Sequence, residues 1–173
     1  TVRRQRQMCI RDSLGTDPIF VIEADEYDSA FFDKRSKFIH YCPTNVIINN
    51  IEFDHADIFN DLNDIKRQFH HLIKTIKSSG NIIYFGDDNH ALDVIKEGVW
   101  CNKIEINSEL IFADCNSKEL RIGNEIFSLA NLPLIGEHNF KNYVCSILAA
   151  KLEGVSEKES IKSLQTFNGV RRR

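Results

Sequence analysis

Two runs of β-branched residues with a helical stripe between them limit most strongly what this chain can fold into. Val46-Ile47-Ile48 and Ile82-Ile83-Tyr84-Phe85 are continuous apolar segments bounded by polar and turn residues. That is the pattern of strands buried on both faces. Between them stand Leu62, Ile65, Phe69, Leu72, Ile73 and Ile76, spaced mostly by three and four, which gathers them on one face of a helix. Asn60 or Asp61 is placed to cap the start of this helix, and Gly80 follows its end. Strand, helix, strand in that order predicts a right-handed parallel crossover. Ile19-Phe20-Val21-Ile22 reads as a further buried strand ahead of these two. Asp87-Asp88 opens a short helix carrying Ala91, Leu92 and Ile95, stopped by Gly98.

The pattern then changes. Lys103-Ile104-Glu105-Ile106, Leu110-Ile111-Phe112, Glu119-Leu120-Arg121-Ile122 and Glu125-Ile126-Phe127-Ser128-Leu129 are short and partly alternating. Gly123-Asn124 separates the last two as a hairpin turn does. These four segments predict a small antiparallel β appendage on the parallel sheet. Two helices close the chain. The first runs from about His138 to Leu152 and buries Phe140, Tyr143, Val144, Ile147, Leu148 and Leu152, with Gly154 beyond it. The second begins with a capping box, Ser156 to Glu159, buries Ile161 and Leu164, and ends near Phe167. The expected fold class is α/β, a mostly parallel sheet flanked by helices, with the antiparallel appendage.

Composition agrees with a packed domain. Of 173 residues, 42% are hydrophobic and 27% charged, enough apolar side chain for a core without disulfides or metal staples. No apolar run approaches the ~20 residues that a membrane helix needs, and no secretory h-region follows the basic start. The net charge of −3 hides an uneven distribution. Arg3, Arg4, Arg6 and Arg11 sit at the start with one acid, Asp12, and Arg171, Arg172 and Arg173 at the end, which leaves 15 basic against 24 acidic residues in the body. So acidic a body argues against nucleic acid as a partner. Cys9, Cys42, Cys101, Cys115 and Cys145 are odd in number and never in C-x-x-C spacing, which fits scattered thiols in a reducing cytoplasm.

The first thirteen residues have neither hydrophobic period nor cap. Met8-Cys9-Ile10-Arg11-Asp12-Ser13 back-translates to ATG TGT ATA AGA GAC AGN, which matches a transposase adapter end. Residues 1–13 are therefore expected to be translated adapter or disordered chain.

Three polar clusters follow predicted strand ends or open a helix. Glu23-Ala24-Asp25-Glu26-Tyr27-Asp28 holds four carboxylates directly after the first apolar run. In parallel sheets the ligand crevice lies just outside the carboxyl ends of strands, and hard oxygen ligands there suit Mg²⁺. The competing reading is a solvated acidic turn. Asn49-Asn50-Ile51-Glu52-Phe53-Asp54-His55-Ala56-Asp57 follows the second run and is expected to open on the same edge as Glu23. Gly136-Glu137-His138-Asn139-Phe140-Lys141-Asn142 opens a helix, whose free N–H groups would face a phosphate or polar ring. A plain cap by Asn139 is the alternative. His70-His71 reads as surface or groove residues, adjacent histidines not sharing a helix face.

Taken in order, these clusters resemble the central ATP-binding domain of the Mur ligases, a P-loop-like fold. The family's pattern is a strand ending in Glu; a strand followed by Asn…Asp-His-x-Asp; G-x-H-N-x-x-N-x-x-A-A at a helix start; and F-x-G-x-x-x-R. This chain carries Glu23, Asn50 with Asp54-His55-Ala56-Asp57, Gly136 to Asn142 with Leu148-Ala149-Ala150, and Phe167-Asn168-Gly169 through Arg173. Within the family, the stretch from Phe20 through Phe38 and His40-Tyr41, with Glu52 to Phe59 and Arg67 to His71, resembles one branch. That branch joins the tripeptide L-alanyl-γ-D-glutamyl-meso-diaminopimelate to UDP-N-acetylmuramate in peptidoglycan recycling. The L-alanine-adding branch is the alternative within the family, and a non-catalytic nucleotide-binding module the alternative outside it.

The resemblance implies ATP and Mg²⁺, with Glu23 and His55 as catalytic metal ligands. It implies His138, Asn139 and Asn142 on the adenine side of the nucleotide and Arg173 on its phosphates. UDP-N-acetylmuramate and the tripeptide would be the substrates and the cytoplasm the location. Phe69 stands where several Mur ligases carry a carbamylated lysine, so that modification is not expected. The family's G-K-T-T phosphate loop has no counterpart ahead of Glu23. Residues 14–170 are thus expected to be the central domain without that loop, and 171–173 the start of a C-terminal domain. By itself the chain is expected to be inactive.

Overall fold

The computed structural model describes residues 19–24, 26–53 and 56–169. A three-stranded parallel sheet forms its centre, from β3 (Asn45–Ile48), β4 (Asn81–Phe85) and β5 (Asn102–Ile106), in the order β3-β4-β5. The register aligns Val46 with Ile82 and Ile83 with Ile104. Two connecting helices, α1 (Leu62–Thr75) and α2 (Asn89–Lys96), make the crossovers. Asp61 caps α1 by accepting from the Asp64 N–H, and Asp88 caps α2 by accepting from the N–H groups of His90 and Ala91.

The middle strand shows why continuous apolar runs suit this position. Side chains alternate across a strand, so β4 sends Ile82 and Tyr84 into one core and Ile83 and Phe85 into another. Ile65, Leu72, Ile73, Ala91 and Val94 of α1 and α2 complete the first core. Phe140, Tyr143, Val144, Ile147 and Leu148 of α3 (Glu137–Leu152) complete the second. All five lie on the face expected of that helix, with Cys145 added to it.

Beyond β5 the chain makes an antiparallel meander of β6 (Ile111–Asp114), β7 (Glu119–Ile122) and β8 (Glu125–Ser128). Leu120 and Phe127 point from it into the second core. Residues 103–106, expected in this appendage, belong instead to β5 and pair in parallel with β4. Their alternation of charged and apolar residues reflects an outer strand of the described sheet rather than an antiparallel one. The final helix, α4 (Glu157–Leu164), carries the predicted capping box, in which Ser156 and Glu159 bond reciprocally. Ile161 and Leu164 are partly buried by it, and the helix stops three residues short of Phe167.

One expectation at the front of the chain fails, and one element there was not foreseen. Ile19-Phe20-Val21-Ile22 is not a buried strand: Val21 makes a single bridge and is 63% exposed. A doubly buried strand needs ladder partners and a helix over each face, and the described residues give this segment neither. After it the chain forms an unanticipated antiparallel hairpin, β1 (Asp28–Ala30) and β2 (Asp33–Ser36). Phe31 and Phe32 make its turn, 94% and 91% exposed. The short 3₁₀ turn Lys37–His40 follows and buries Phe38, which meets Phe69 of α1 at 5.3 Å between ring centroids. Phe69 thus fills a hydrophobic niche where a modified lysine would need polar partners.

His70 also departs from expectation. It is 8% exposed, its Nδ1 lies 3.6 Å from Glu97 Oε2, and its ring faces Trp100. His71, beside it, is half-buried, and burial lowers its basicity.

Candidate nucleotide site at the carboxyl edge of the sheet

The carboxyl ends of β3 and β4 face the amino end of α3 across an open cleft of about 530 Å³. Asn49 to Glu52 come from the loop after β3, Phe85, Asp87 and Asp88 from the end of β4, His90 from α2, and Glu137, His138 and Lys141 from α3. The predicted clusters at residues 49–57 and 136–142 therefore meet. The third does not join them: Glu23 is exposed and does not line the cleft.

Local chemistry explains each wall. Gly86 lets the chain leave β4 tightly, since a Cβ there would come within 2.5 Å of Glu105 Oε1. Glu105 Oε2 in turn accepts from the Tyr84 hydroxyl at 2.9 Å. Asp88 is occupied as the α2 cap, and Asp87 beside it faces the cleft. On the opposite wall, the Tyr143 hydroxyl accepts from the Leu134 N–H at 2.8 Å and ties the entering loop to the helix. Gly136 then turns the chain at φ +100°, ψ 154°, a conformation open to glycine and strained for any other residue. Its missing side chain makes room for His138, whose Cε1 would lie 3.2 Å from a Cβ.

No side chain caps α3. Asn139, the alternative cap, donates to the Ile135 carbonyl at 2.7 Å and is half-buried. The first-turn N–H groups of the helix are thus left without a side-chain acceptor, which suits a phosphate or polar ring. Asn142 accepts a 2.8 Å hydrogen bond from Asn49 Nδ2. His138 lines the cleft, while Asn139 and Asn142 do not.

The cleft is acidic. Glu52, Asp87, Asp88 and Glu137 surround it, and Lys141 is the cation among its lining residues. Lys141 bonds Glu137 at 3.0 Å, and this hydrogen bond, reinforced by the charges of Glu137, Asp87 and Asp88, raises its basicity despite partial burial. Its Nζ also sits 5.3 Å from the centroid of the Phe85 ring. Sequence reasoning named Lys141 in the cluster at residues 136–142 without a role and passed over Asp87 and Phe85 as site residues. The pairing of Asp87-Asp88 with a strand end was the signal that marked them.

His55 and Arg173, with Asp54, lie outside the described residues. Among the described residues no three His, Cys, Asp or Glu side chains converge as a metal site, and no helix is long and apolar enough to cross a membrane.

A parallel sheet with helices on both faces, a cleft at the strand carboxyl ends, and an uncapped helix start aimed into it define an α/β protein with its candidate ligand site at the place such sheets provide one. Residues 8–150 match the Mur ligase middle domain, and the chain belongs to the Mur ligase family. Over 166 residues it is 41% identical to the UDP-N-acetylmuramate--L-alanyl-gamma-D-glutamyl-meso-2,6-diaminoheptandioate ligase of Escherichia coli, covering 92% of this chain and 36% of that protein. It is 31% identical to the UDP-N-acetylmuramate--L-alanine ligase of Clostridium botulinum, over 92% of this chain and 35% of that one. The solved structure of UDP-N-acetylmuramate:L-alanyl-gamma-D-glutamyl-meso-diaminopimelate ligase from Neisseria meningitides superposes with a TM-score of 0.79 at 38% identity, over 91% of this chain and 50% of that one. The chain spans about a third of the length of the curated relatives it matches.

Proposed function

We propose that this chain is the nucleotide-binding part of an ATP-dependent ligase that joins the tripeptide L-alanyl-γ-D-glutamyl-meso-diaminopimelate to UDP-N-acetylmuramate. One observation carries the ATP half of this reading: the uncapped start of α3 faces the ends of β3 and β4 across a cleft large enough for a nucleotide. Greater identity to the tripeptide ligase than to the L-alanine ligase, 41% against 31%, supports the choice of branch.

In this reading His138 recognises the adenine side from within the cleft and Asn142 from its rim, where it is bonded to the lining residue Asn49, and Asn139 shapes the loop through its bond to Ile135. Arg173 reaches the phosphates, a planar cation suited to them. The acidic lining gives a physical reason for a metal. A polyphosphate entering among Glu52, Asp87, Asp88 and Glu137 is repelled unless its charge is neutralised. Glu23 and His55 would be the residues to hold a Mg²⁺, which would supply that neutralisation. The described residues do not themselves assemble that metal site.

The chemistry is two transfers. The lactyl carboxylate of UDP-N-acetylmuramate attacks the γ-phosphorus of ATP, giving an acyl phosphate and ADP. The tripeptide's amine then attacks the acyl carbon, an amide forms, and phosphate leaves with the bond electrons. This chain's part is to hold ATP in place for the first transfer. The substrates are cytoplasmic precursors, and the cytoplasm is the proposed location.

The test is ADP release by the full-length protein with UDP-N-acetylmuramate and either the tripeptide or L-alanine. Release that depends on the tripeptide is expected. Release with L-alanine alone moves the protein to the other branch, and ATP binding without release under either condition refutes the ligase reading.

A further inference from the structure

Asn142 stands on the exposed side of α3. An exposed asparagine ordinarily shares its amide with water and samples several rotamers. Here it is tied across the molecule to Asn49, 93 positions away, whose Nδ2 donates to Asn142 Oδ1 at 2.8 Å. Asn49 is the first residue past β3, an outer strand of the described sheet, and lines the cleft, so its bond holds Asn142 at the rim of that cleft. Its other amide atom is engaged as well, because the Cys145 thiol lies 4.0 Å from Asn49 Oδ1. Cys145 is one turn further along α3 and 3% exposed, and burial pushes its thiol up to about 12. It therefore stays protonated, with an S–H to donate.

These two contacts orient both amides. The thiol takes the Asn49 oxygen, so the Asn49 nitrogen faces Asn142. Asn142 spends one lone pair of its oxygen on that side, so its own nitrogen turns away, with two protons to give. The helix does not impose this choice: the Ser146 hydroxyl bonds the Asn142 backbone carbonyl and leaves the side chain alone.

We propose that Asn49 is a positioning residue for nucleotide recognition, holding Asn142 with its amide nitrogen outward as the donor to a purine ring nitrogen. The proposal rests on the ATP-binding reading above. An asparagine amide reads the N6/N7 edge of adenine by donating to N7 and accepting from the amino group. The second lone pair of Asn142 Oδ1 remains for that amino group. A flipped amide would set donor against donor and acceptor against acceptor, which is how Asn49 governs base choice without making the contact itself.

The experiment compares ATP with 7-deaza-ATP, which lacks the N7 acceptor, in steady-state ligation by the full-length protein. Wild type, Asn49→Asp, Asn49→Ser and Asn142→Ala are measured. Wild type is expected to prefer ATP by about tenfold in KM, the size of one well-made hydrogen bond. In Asn49→Asp the new carboxylate can only accept, so it draws the Asn142 nitrogen towards itself. KM for ATP then rises about tenfold, more than kcat falls, and the two nucleotides come within about twofold of each other. Asn142→Ala does the same, while Asn49→Ser keeps a donor and recovers part of the preference. Equal changes for both nucleotides in Asn49→Asp, with the preference intact, would show a merely structural tie and overturn the inference. So would a wild type indifferent to N7. A wild type that does not use ATP at all overturns instead the function on which the inference rests. If Asn49→Asp does not fold, Asn49→Ser and Asn142→Ala still separate the two outcomes.

Discussion

Replacing Gly136 with alanine tests whether the helix start is built for a ligand. Gly136 sits at φ +100°, ψ 154°, a region that side-chain-bearing residues occupy at a cost of about 1–3 kcal/mol. The new methyl also meets His138, with Cε1 at 3.2 Å and Nδ1 at 3.4 Å. The His138 ring must therefore give way by a few tenths of an ångström, or the turn must open. For a domain of this size about 1 kcal/mol lowers Tm by roughly 3 °C, so a fall of about 3–9 °C is expected. If the turn opens, the first N–H groups of α3 rotate out of line and nucleotide affinity falls with stability. The assay pairs urea unfolding with titration of a fluorescent ATP analogue. Gly154→Ala is the control, since Gly154 shares a positive φ, +85°, but has nothing within 4 Å of its would-be Cβ and stands at the far end of the helix. It should lose stability and keep affinity. A Gly136→Ala protein that unfolds within about 0.3 kcal/mol of wild type and binds the analogue equally well would refute the argument from strain.

Other consequences follow from the same geometry. Asp88→Ala removes the acceptor for the His90 and Ala91 N–H groups and should cost about 1 kcal/mol in urea unfolding, as losing a helix cap does. Ile83→Ala, in the middle strand with no exposed surface, should cost about 2–5 kcal/mol, whereas Ile47→Ala, 42% exposed on β3, should cost under half as much. High pH should destabilise the fold in a defined window. Cys145 and Tyr84 are both pushed up in the folded state, chiefly by burial, so their contribution is complete below the unfolded values of 9.0 and 10.0 and is lost as pH rises beyond them. Cys145→Ala should flatten the fall in unfolding midpoint that begins near pH 9, and an unchanged slope would refute that assignment. Changing Phe31 and Phe32 to serine should leave unfolding within about 0.5 kcal/mol, because both rings are almost wholly exposed; a larger loss would mean that the hairpin turn packs in solution.

Much of the parallel core was legible because its signals are local. Leu72 and Ile73 lie three and four residues from Phe69, and a helix of 3.6 residues per turn needs no further information to place them together. Asp61, Asp88 and the Ser156–Glu159 box announced their helices through bonds that span at most three residues. The same logic misled at β5 and at the front of the chain. Ile104 and Ile106 alternate with charged residues like any antiparallel strand, and only their register against Ile83 and Phe85 makes them parallel. Ile19 to Ile22 have the composition of a buried strand, but burial requires partners, which composition cannot supply. Phe31-Phe32 carries no local mark of a hairpin turn; the pairing of Asp28 with Ser36 made it one.

The site divides along the same line. Neighbouring residues were enough to show that residues 49–57 follow a strand and that residues 136–142 open a helix, because strand and helix boundaries are written locally, whereas the structure was needed to show that Asn139 does not cap that helix. Packing was needed to bring residues 49–52 and 137–141 into one cleft, to hold Lys141 against Glu137 within an acidic lining, and to leave Glu23 apart from both. Packing also sets which way Asn142 presents its amide, since that depends on Asn49 and on a thiol made a lasting donor by burial. Spacing along a chain encodes periodicity; the distance between residues 49 and 142 is set by how two cores pack on opposite faces of β4.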